Sequence, residues 1–376
     1  MDEQTQGTTS KTFKFKLLPT PEQEQRMAFV VRRCRELYNA ALQERRDAWQ
    51  KCRKSISCGH HSTELPSVKE VRPEYHDIHS QVLQDVLTRL DRAFQAFFRR
   101  VDQGEKPGYP RFQRGNRYHS FTYKQFGNGA TLDNGGLVLS KIGRIAVRWS
   151  RPLVGTVKTV TITQQADGWY CCCSCAEVPM QSLPHTGHET GIDVGLKVFL
   201  ISAEGEAVEN PRYYRKAERA LKKAQRRVSR RKKGSKRRTK AVEWLATKHQ
   251  RVQRQRHDFP HTTALARRRE YDPRYLDDWQ GATLVQNAPL AKSISDAGGA
   301  PFRTILDGTA AGAGRRGIAV PPASTSQECR GGGTLVRKRL SIRTHVCTSC
   351  GLILDRDENA ARNIQRAGQV RQGVVA

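Results

Sequence analysis

The chain has 376 residues, with 66 Lys and Arg against 36 Asp and Glu, a net charge of +30 at pH 7. This length suits roughly two or three domains, and the excess of positive charge predicts a polyanionic partner. No apolar run approaches the ~20 residues that span a bilayer, and the polar start of the chain does not resemble a signal peptide. The composition therefore argues against a membrane or secreted protein, and we expect a cytoplasmic one.

The first hundred residues predict one strand and two long helices. Polar and apolar residues alternate from Thr12 to Leu17, which is typical of a strand. Thr20, followed by Pro21 and two acidic residues, predicts a helix start, and an apolar stripe continues from Met27 to Leu42. Apolar residues three and four apart from Ile78 to Phe97 predict the second helix.

Ten cysteines occur in the chain, without the even spacing of a small disulfide-bonded scaffold. We therefore expect reduced thiols, some of which could bind a metal. Cys52, Cys58, His60 and His61 lie between the two predicted helices, in a stretch rich in Ser, Gly and His. Their spacing matches no established zinc pattern, so we interpret this stretch as an ordinary polar loop, with a metal site as the alternative.

From Tyr118 to Glu177 the apolar period changes to two, with Gly and Asp turns between short runs. This pattern predicts an antiparallel sheet or small barrel, with a hairpin at Asp167-Gly168. Four cysteines lie on its last strand, Cys171, Cys172, Cys173 and Cys175. We interpret them as small apolar core residues rather than as a metal or redox site.

A linker is predicted from Leu183 to Glu189, followed by two short strands hinged at Gly195. Residues 211–258 are then strongly basic, with apolar positions spaced for two helix faces on either side of a break at Lys233-Gly234-Ser235. Acidic residues are scarce there, whereas an ordinary solvated face mixes both signs. We therefore predict a basic helical hairpin that follows a phosphate backbone.

Glycines crowd the segment from Gly298 to Gly317, where Phe302, Ile305 and Leu306 would otherwise suit a helix. Each glycine in a helix costs ~1 kcal/mol relative to Ala. We therefore expect this helix to be unstable.

Three groups of acidic residues stand at the ends of short strands or the start of a helix. Asp193 ends an apolar strand, Asp277 and Asp278 follow Tyr275-Leu276, and Asp355 and Asp357 precede a helix expected to begin near Asn359. Any one acid is more often a surface residue or a helix cap. Together, in a basic chain, they predict a Mg²⁺ cluster that would neutralise the attacking and leaving oxygens of a phosphodiester.

A second candidate metal site combines Cys329 with Cys347 and Cys350, the latter pair in a C-x-x-C-G turn. Such turns place two thiolates on one tetrahedral zinc ion. The residue three after Cys329 is Gly332, so the second pair lacks a thiol, and His345 is awkwardly placed to replace it. The alternatives are an incomplete zinc site and a metal-free loop.

Several motifs together resemble the TnpB family of transposon-encoded RNA-guided nucleases, which are related to type V CRISPR effectors. The resemblance covers nearly the whole chain and is most specific near the C-terminus. Its motifs are KLLPTPEQE (16–24), GYPRF (108–112), SFTY (120–123), GIDVGLK (191–197), LAKSISDAG (290–298), the STSQEC and CTSCG pair (324–329 and 347–351) and DRDENAARNI (355–364).

The resemblance implies an α+β protein of two domains. Residues 1–184 would form a wedge β-barrel with a helical recognition insert (about 20–105). Residues 185–376 would form a RuvC-like nuclease domain with an RNase H fold, which contains the basic hairpin (211–258) and a zinc-ribbon-like insert (325–352). Family members bind a guide RNA made from the transposon end, pair it with double-stranded target DNA and cut with Mg²⁺.

By position, Asp193 and Asp357 match the first and third family carboxylates, Asp277 stands where relatives have Glu, and Arg343 matches an arginine near the scissile phosphate. Asp is one methylene shorter than Glu, which affects metal geometry. The missing thiol at Gly332 and the glycine-rich stretch are further departures. The sequence thus predicts an RNA-guided DNA endonuclease; the alternative is a guide-RNA-dependent DNA-binding protein with impaired or absent cleavage, a decayed or repurposed copy.

Overall fold

The computed structural model describes residues 7–115, 117–272, 274–277, 288–315, 317–321, 324–339 and 342–375. The chain divides into two units, Met1–Pro179 and Met180–Ala376, each with its own internal packing. Both units combine a sheet with helices, so the architecture is mixed α+β, as the sequence predicted.

A seven-stranded antiparallel sheet forms the first unit and curls into a nearly closed barrel. The strand order is β2-β6-β7-β1-β5-β4-β3. The strands are β1 Thr8–Leu18, β2 Ser120–Tyr123, β3 Ala130–Asp133, β4 Gly136–Leu139, β5 Gly143–Arg148, β6 Thr156–Gln165 and β7 Gly168–Pro179.

The cysteine run on β7 packs in the barrel core. Cys171, Cys173 and Cys175 are buried, whereas Cys172 is partly exposed. In the register with β1, Cys173 lies opposite Phe13 and Cys171 lies opposite Phe15, and both phenylalanines are buried. Alternate residues of a strand point to opposite faces, so three of the four thiols contact apolar partners. The interpretation as core residues is confirmed for Cys171, Cys173 and Cys175, but not for the partly exposed Cys172.

Four α-helices and a short 3₁₀ helix complete this unit: α1 Pro21–Cys52, α2 Cys58–Thr63, α3 Leu65–Val71, the 3₁₀ helix Pro73–Asp77 and α4 Ser80–Asp102. The predicted start of α1 is confirmed, since the Thr20 hydroxyl accepts from the Gln23 N–H and the Gln23 side chain accepts from the Thr20 N–H. The prediction of an ordinary loop at Cys52 to His61 is wrong in part. Cys58 begins α2, where Ser57 caps the helix and accepts from the His60 N–H at 3.1 Å.

The second unit contains a five-stranded sheet with the order β10-β9-β8-β11-β12. Its strands are β8 Thr190–Val194, β9 Val198–Ser202, β10 Ala207–Glu209, β11 Arg274–Asp277 and β12 Gly317–Val320. β8 is parallel to β11 and β11 is parallel to β12, whereas β9 runs antiparallel to both β8 and β10. The two strands predicted around Gly195 are confirmed as β8 and β9. A separate two-stranded sheet pairs β13 Thr344–Val346 with β14 Ile353–Asp355.

The described residues of this unit form five further helices: α5 Tyr213–Ser229, α6 Lys236–Glu270, α7 Ala288–Ala297, α8 Gly299–Ala311 and α9 Arg356–Val375. The basic hairpin is formed by α5 and α6, although α6 continues 12 residues past the predicted end at residue 258. Along α6, Ala241 and Val252 are buried, whereas Val242 is exposed. Across the described ranges, no helix is both long enough and apolar enough to cross a membrane.

The glycine-rich segment contains the helix that its apolar residues suggested, and the low stability expected of this helix stays a prediction. α8 begins after Gly298, which has a left-handed backbone (φ 71°) that glycine adopts without strain. Phe302 and Leu306 are fully buried and belong to the same apolar cluster as Ile192 and Leu276 of the sheet. Burial of such side chains contributes about 1.5–3 kcal/mol each, which offsets the low helix propensity of the glycines.

Candidate nuclease site

Asp193 lies near the end of β8, where the chain turns at Gly195 into β9. The Gly195 N–H donates to the Phe199 carbonyl oxygen at 3.1 Å, which closes the turn. The residue before Asp193, Ile192, is fully buried, whereas Asp193 itself is half-buried. The strand thus carries this carboxylate to the edge of the sheet.

Asp277 lies at the end of the neighbouring parallel strand, β11. In this pairing Leu276 lies opposite Ile192, so the next residues, Asp277 and Asp193, lie at the same level of the sheet. Parallel strands end at the same edge, which is why two acids distant in sequence meet. Asp278 lies outside the described residues.

Asp357 lies in the first turn of α9. The sequence placed the start of this helix near Asn359, but the helix begins at Arg356. The reason is Asp355, whose side chain accepts from the backbone N–H groups of Asp357 at 2.8 Å and Glu358 at 3.3 Å. This is the hydrogen bonding of an N-cap residue, so Asp355 organises the helix and Asp357 presents its carboxylate from it.

Two arginines hold the Asp357 carboxylate. Arg343 Nη1 donates to Asp357 Oδ2 at 3.0 Å, and Arg356 donates to Asp357 Oδ1 from Nη2 at 2.7 Å and from Nε at 2.9 Å. Arg343 was singled out from the sequence, whereas Arg356 was not. No sequence signal distinguished Arg356 from the many other arginines of this basic chain.

The ionisation of Asp193 responds to the other two carboxylates. Burial, together with the negative charges of Asp357 and Asp277, raises the pKa of Asp193 to about 7, against the opposing charge of Arg356. A carboxyl group that shares a site with other carboxylates resists losing its proton, and a bound cation would remove that cost. The structure therefore places Asp277 and Asp357 near enough to Asp193 for their charges to raise its pKa.

Two glycines let α9 lie directly against the sheet. A Cβ atom on Gly191 would lie 2.0 Å from the Ala361 carbonyl oxygen, and a Cβ on Gly368 would lie 1.9 Å from Tyr275 Cδ1. Both contacts fix the distance between the helix that carries Asp357 and the strands that carry the other two acids. Sequence reasoning missed this pair, although a glycine inside a strand is a known signal of close backbone approach.

The cysteine group is assembled in the same unit. The Sγ atoms of Cys329, Cys347 and Cys350 all lie within 4.8 Å of one another, and Cys329 Sγ is 3.5 Å from Cys350 Sγ. Backbone N–H groups of Cys350 and Ser349 donate toward Cys347 and lower the pKa of its thiol to about 7. Thiols this close to one another, one of them with a lowered pKa, suit a zinc ion, which binds cysteines as thiolates.

The backbone around Cys329 has the same turn as the C-x-x-C-G segment. Gly333 N–H donates to the Cys329 carbonyl at 2.8 Å, and Gly351 N–H donates to the Cys347 carbonyl at 2.9 Å. Gly333 and Gly351 have matching φ values of 69° and 73°. A Cβ on Gly332 would lie 3.7 Å from Cys350 Sγ. The first turn thus keeps its shape and lacks a thiol at Gly332.

His345 does not join the three cysteines; its Nδ1 contacts Lys338 Nζ. Among the described residues, a second group with ligand atoms within 4.8 Å of one another is Glu44, His61 and Glu64 in the first unit. His61 Nε2 lies 3.2 Å from Glu44 Oε2, and Cys52 and Cys58 are not members of this group. The four residues singled out from the sequence are therefore not brought together as a single ligand set.

A basic groove of about 990 Å³ runs along the hairpin of α5 and α6. Trp244 from α6 lies in it, with Arg227 Cζ 5.5 Å and Lys248 Nζ 5.3 Å from the ring centroid. Seven further cations line it together with one acid, Glu218. They are Arg215, Arg219, Lys222, Lys223, Arg226, Arg230 and Arg231.

The fold and the site define a class: a mixed α+β protein with a barrel unit, and a second unit in which carboxylates meet at a sheet edge beside strongly basic helices. Three family models match parts of the chain. The OrfB model of IS605 elements, described as "Probable transposase", matches residues 171–277. A Cas12f1-like TNB domain matches residues 300–364, and a helix-turn-helix domain matches residues 9–54.

Two curated relatives match almost the whole chain. One, from Streptomyces pristinaespiralis, is 32% identical over 95% of this chain and 89% of its own length, and it is named an RNA-guided DNA endonuclease. InsQ of Escherichia coli K12, which carries the same name, is 29% identical over 95% of this chain and 92% of its own. The chain therefore belongs to the TnpB (OrfB) family.

A solved structure also shares the fold. The mini-RNA-guided endonuclease CRISPR-Cas phi3 aligns with a TM-score of 0.50 and 10% identity, covering 96% of this chain and 92% of that one. At this identity the likeness concerns the fold alone.

Proposed function

We propose that this protein is an RNA-guided DNA endonuclease of a transposable element that hydrolyses phosphodiesters with Mg²⁺ at a RuvC-like carboxylate site. The convergence of Asp193, Asp277 and Asp357 carries the proposal. The named activity of two relatives that align over nearly their full lengths supports it.

The sheet of the second unit supports assigning residues 185–376 to an RNase H-type nuclease domain. Its order β10-β9-β8-β11-β12, with β9 antiparallel to β8 and the last three strands parallel, puts two acids at one edge. Residues 1–184 would then be the wedge barrel, with α1 to α4 as its helical recognition insert. In a bacterial or archaeal cell such a protein would act in the cytoplasm, at the nucleoid.

Asp193, Asp277 and Asp357 would hold Mg²⁺, and Asp355 would not, because its oxygen caps α9. When bound, Mg²⁺ supplies charge that stabilises the attacking and leaving oxygens of the phosphodiester. Arg343 and Arg356 orient the Asp357 carboxylate. Arg343 is partly exposed and has further N–H groups that could donate to a phosphate of the substrate.

Cys329, Cys347 and Cys350 would bind zinc through three thiolates, with the fourth position left to a non-protein ligand such as water. The matched turns at Gly333 and Gly351 support this assignment. Guide RNA and target DNA would lie against basic surfaces such as the α5 and α6 groove. A protein that binds an RNA–DNA duplex recognises its geometry and contacts its phosphate backbone.

One observation favours a second candidate, a guide-RNA-dependent DNA-binding protein that cuts poorly. Asp277 is one methylene shorter than the Glu of relatives, so its carboxylate reaches less far toward an ion shared with Asp193. Metal sites lose activity when a ligand is misplaced by about 1 Å.

A single experiment separates the two. Protein co-expressed with its RNA is incubated with matched double-stranded DNA and Mg²⁺, alongside Asp193→Asn and Asp277→Glu variants. Cleavage by the wild type that is abolished in Asp193→Asn supports the nuclease. Binding without cleavage, restored by Asp277→Glu, supports the second candidate. If no discrete RNA co-purifies, both RNA-guided functions are wrong.

A further inference from the structure

A cavity of about 350 Å³ opens beside the carboxylate cluster. Lys197, from the turn that follows Asp193, lines one part of it, and Arg343, which donates to Asp357, lines another. Arg212 and Arg215 at the start of α5 complete its basic wall. The cavity therefore shares a residue, Arg343, with the proposed Mg²⁺ site.

The cavity is strongly positive. Four cations line it, and among its described lining residues the one acid is Asp296. The Asp296 carboxylate accepts from the backbone N–H groups of Tyr214 at 3.0 Å and Arg215 at 3.1 Å, and it lies 3.6 Å from Arg256 Nε. Its charge is therefore engaged by the first turn of α5 and by Arg256, which leaves the cavity suited to an anion.

Asn210 fixes the two ends of the basic wall relative to each other. Its Nδ2 donates to the Leu196 carbonyl at 3.0 Å, next to Lys197, and its Oδ1 accepts from the Arg212 N–H at 3.1 Å. Arg212 adopts a left-handed backbone with φ 49°, which is uncommon for a residue other than glycine, asparagine or aspartate. Such backbone conformations persist where surrounding contacts hold them, and they cluster at functional sites.

We propose that this cavity binds a backbone phosphate of the DNA strand next to the phosphate that is cut, with Lys197 and Arg212 as its substrate-binding residues. This inference rests on the proposed nuclease function and adds a subsite to it. Arg343 lines the cavity and also donates to Asp357. A DNA strand held in the cavity by one phosphate would therefore place its neighbouring phosphate toward Asp357. Such positioning governs the rate of cleavage more than the affinity for the whole target, which base pairing dominates.

The test uses the full-length protein with its co-expressed guide RNA and compares wild type with the double variant Lys197→Ala/Arg212→Ala. Lys141→Ala is the matched control, since Lys141 is also exposed and also left-handed, with φ 66°, but lies in a turn of the barrel outside α1 to α4. Target affinity is measured without Mg²⁺, and the single-turnover cleavage rate is measured with Mg²⁺ at saturating protein.

We expect the double variant to cleave at least ~10-fold more slowly, with target affinity within about twofold of wild type, and Lys141→Ala to match wild type in both. An unchanged cleavage rate, or a loss of affinity without a loss of rate, would overturn the subsite. A wild-type protein that does not cleave would refute the nuclease function separately. In that case photo-crosslinking of 5-iodouracil-labelled target DNA to the complex still decides the subsite: crosslinks to residues 196–215 support it, and their absence refutes it.

Discussion

Gly191 on β8 and Ala361 on α9 are in direct backbone contact, with no room for a side chain between them. A Cβ atom at Gly191 would lie 2.0 Å from the Ala361 carbonyl oxygen and 2.6 Å from the Gln365 nitrogen. Asp193 is two residues after Gly191, and Asp357 is four residues before Ala361. The contact therefore sets how far the third carboxylate lies from the first.

Gly191→Ala should impair both stability and cleavage. The added methyl group must push α9 away from the sheet, at a cost of about 1–3 kcal/mol. The shift also separates Asp357 from Asp193, so the cleavage rate should fall by ~10-fold or more. Chemical denaturation and single-turnover cleavage measure the two effects.

Gly308→Ala is the matched control, because Gly308 lies inside α8 with no atom within 4 Å of its would-be Cβ. It should stabilise the protein by about 0.5–1 kcal/mol and leave cleavage unchanged. Equal effects of the two substitutions would show that the Gly191 contact has no special role.

We expect Asp355 to be needed for stability and Asp357 to be needed for cleavage. Asp355→Ala removes the cap of α9 and should cost about 1 kcal/mol of unfolding free energy while cleavage persists. Asp355→Asn should restore the stability, since an amide oxygen also caps. Asp357→Asn should lower the cleavage rate by ~100-fold or more, because a metal-binding carboxylate is lost. Cleavage that depends on Asp355 and tolerates Asp357→Asn would contradict the assignment.

Gly332→Cys should complete a four-thiolate site and increase the zinc content and zinc affinity of the purified protein. A Cβ atom at position 332 would lie 3.7 Å from Cys350 Sγ, within the same turn as Cys329. Gly333→Cys is the comparison, because its Cβ would contact nothing within 4 Å. Metal analysis of the two variants and the wild type checks this. Equal zinc in both variants, or zinc absent from all three folded proteins, would refute the site.

His61 should make the protein less stable in acid. Burial lowers the pKa of His61 to about 4, aided by the positive charge of Arg45 and opposed by the negative charge of Glu64. In the unfolded chain the pKa is near 6.5, so between pH 6.5 and 4 the unfolded state binds more protons, and stability falls as the pH falls. The loss should reach the order of 3 kcal/mol by pH 4.

His61→Gln should remove most of that pH dependence, measured by denaturant unfolding at several pH values. His60→Gln, on the same helix but exposed, should retain the wild-type slope. A slope unchanged in His61→Gln would show that other groups control the acid response.

Local patterns in the sequence determined much of the fold. The period-two alternation of Thr12 to Leu17 gave β1, and the Thr20 and Pro21 start gave α1, because these features depend on neighbours along the chain. The alternation within Cys171 to Cys175 likewise placed three thiols in the core. The sequence also predicted the candidate metal-binding carboxylates, through motifs that resemble the TnpB family.

The tertiary structure decided what depends on distant residues. The meeting of Asp193 and Asp277 follows from the register of two parallel strands, and the position of Asp357 follows from the packing of α9 on Gly191. The glycine-rich α8 persists because Phe302 and Leu306 are buried by a sheet whose strands are remote in sequence. Helix propensity is summed over neighbouring residues, whereas burial energy comes from contacts that the chain makes only after folding.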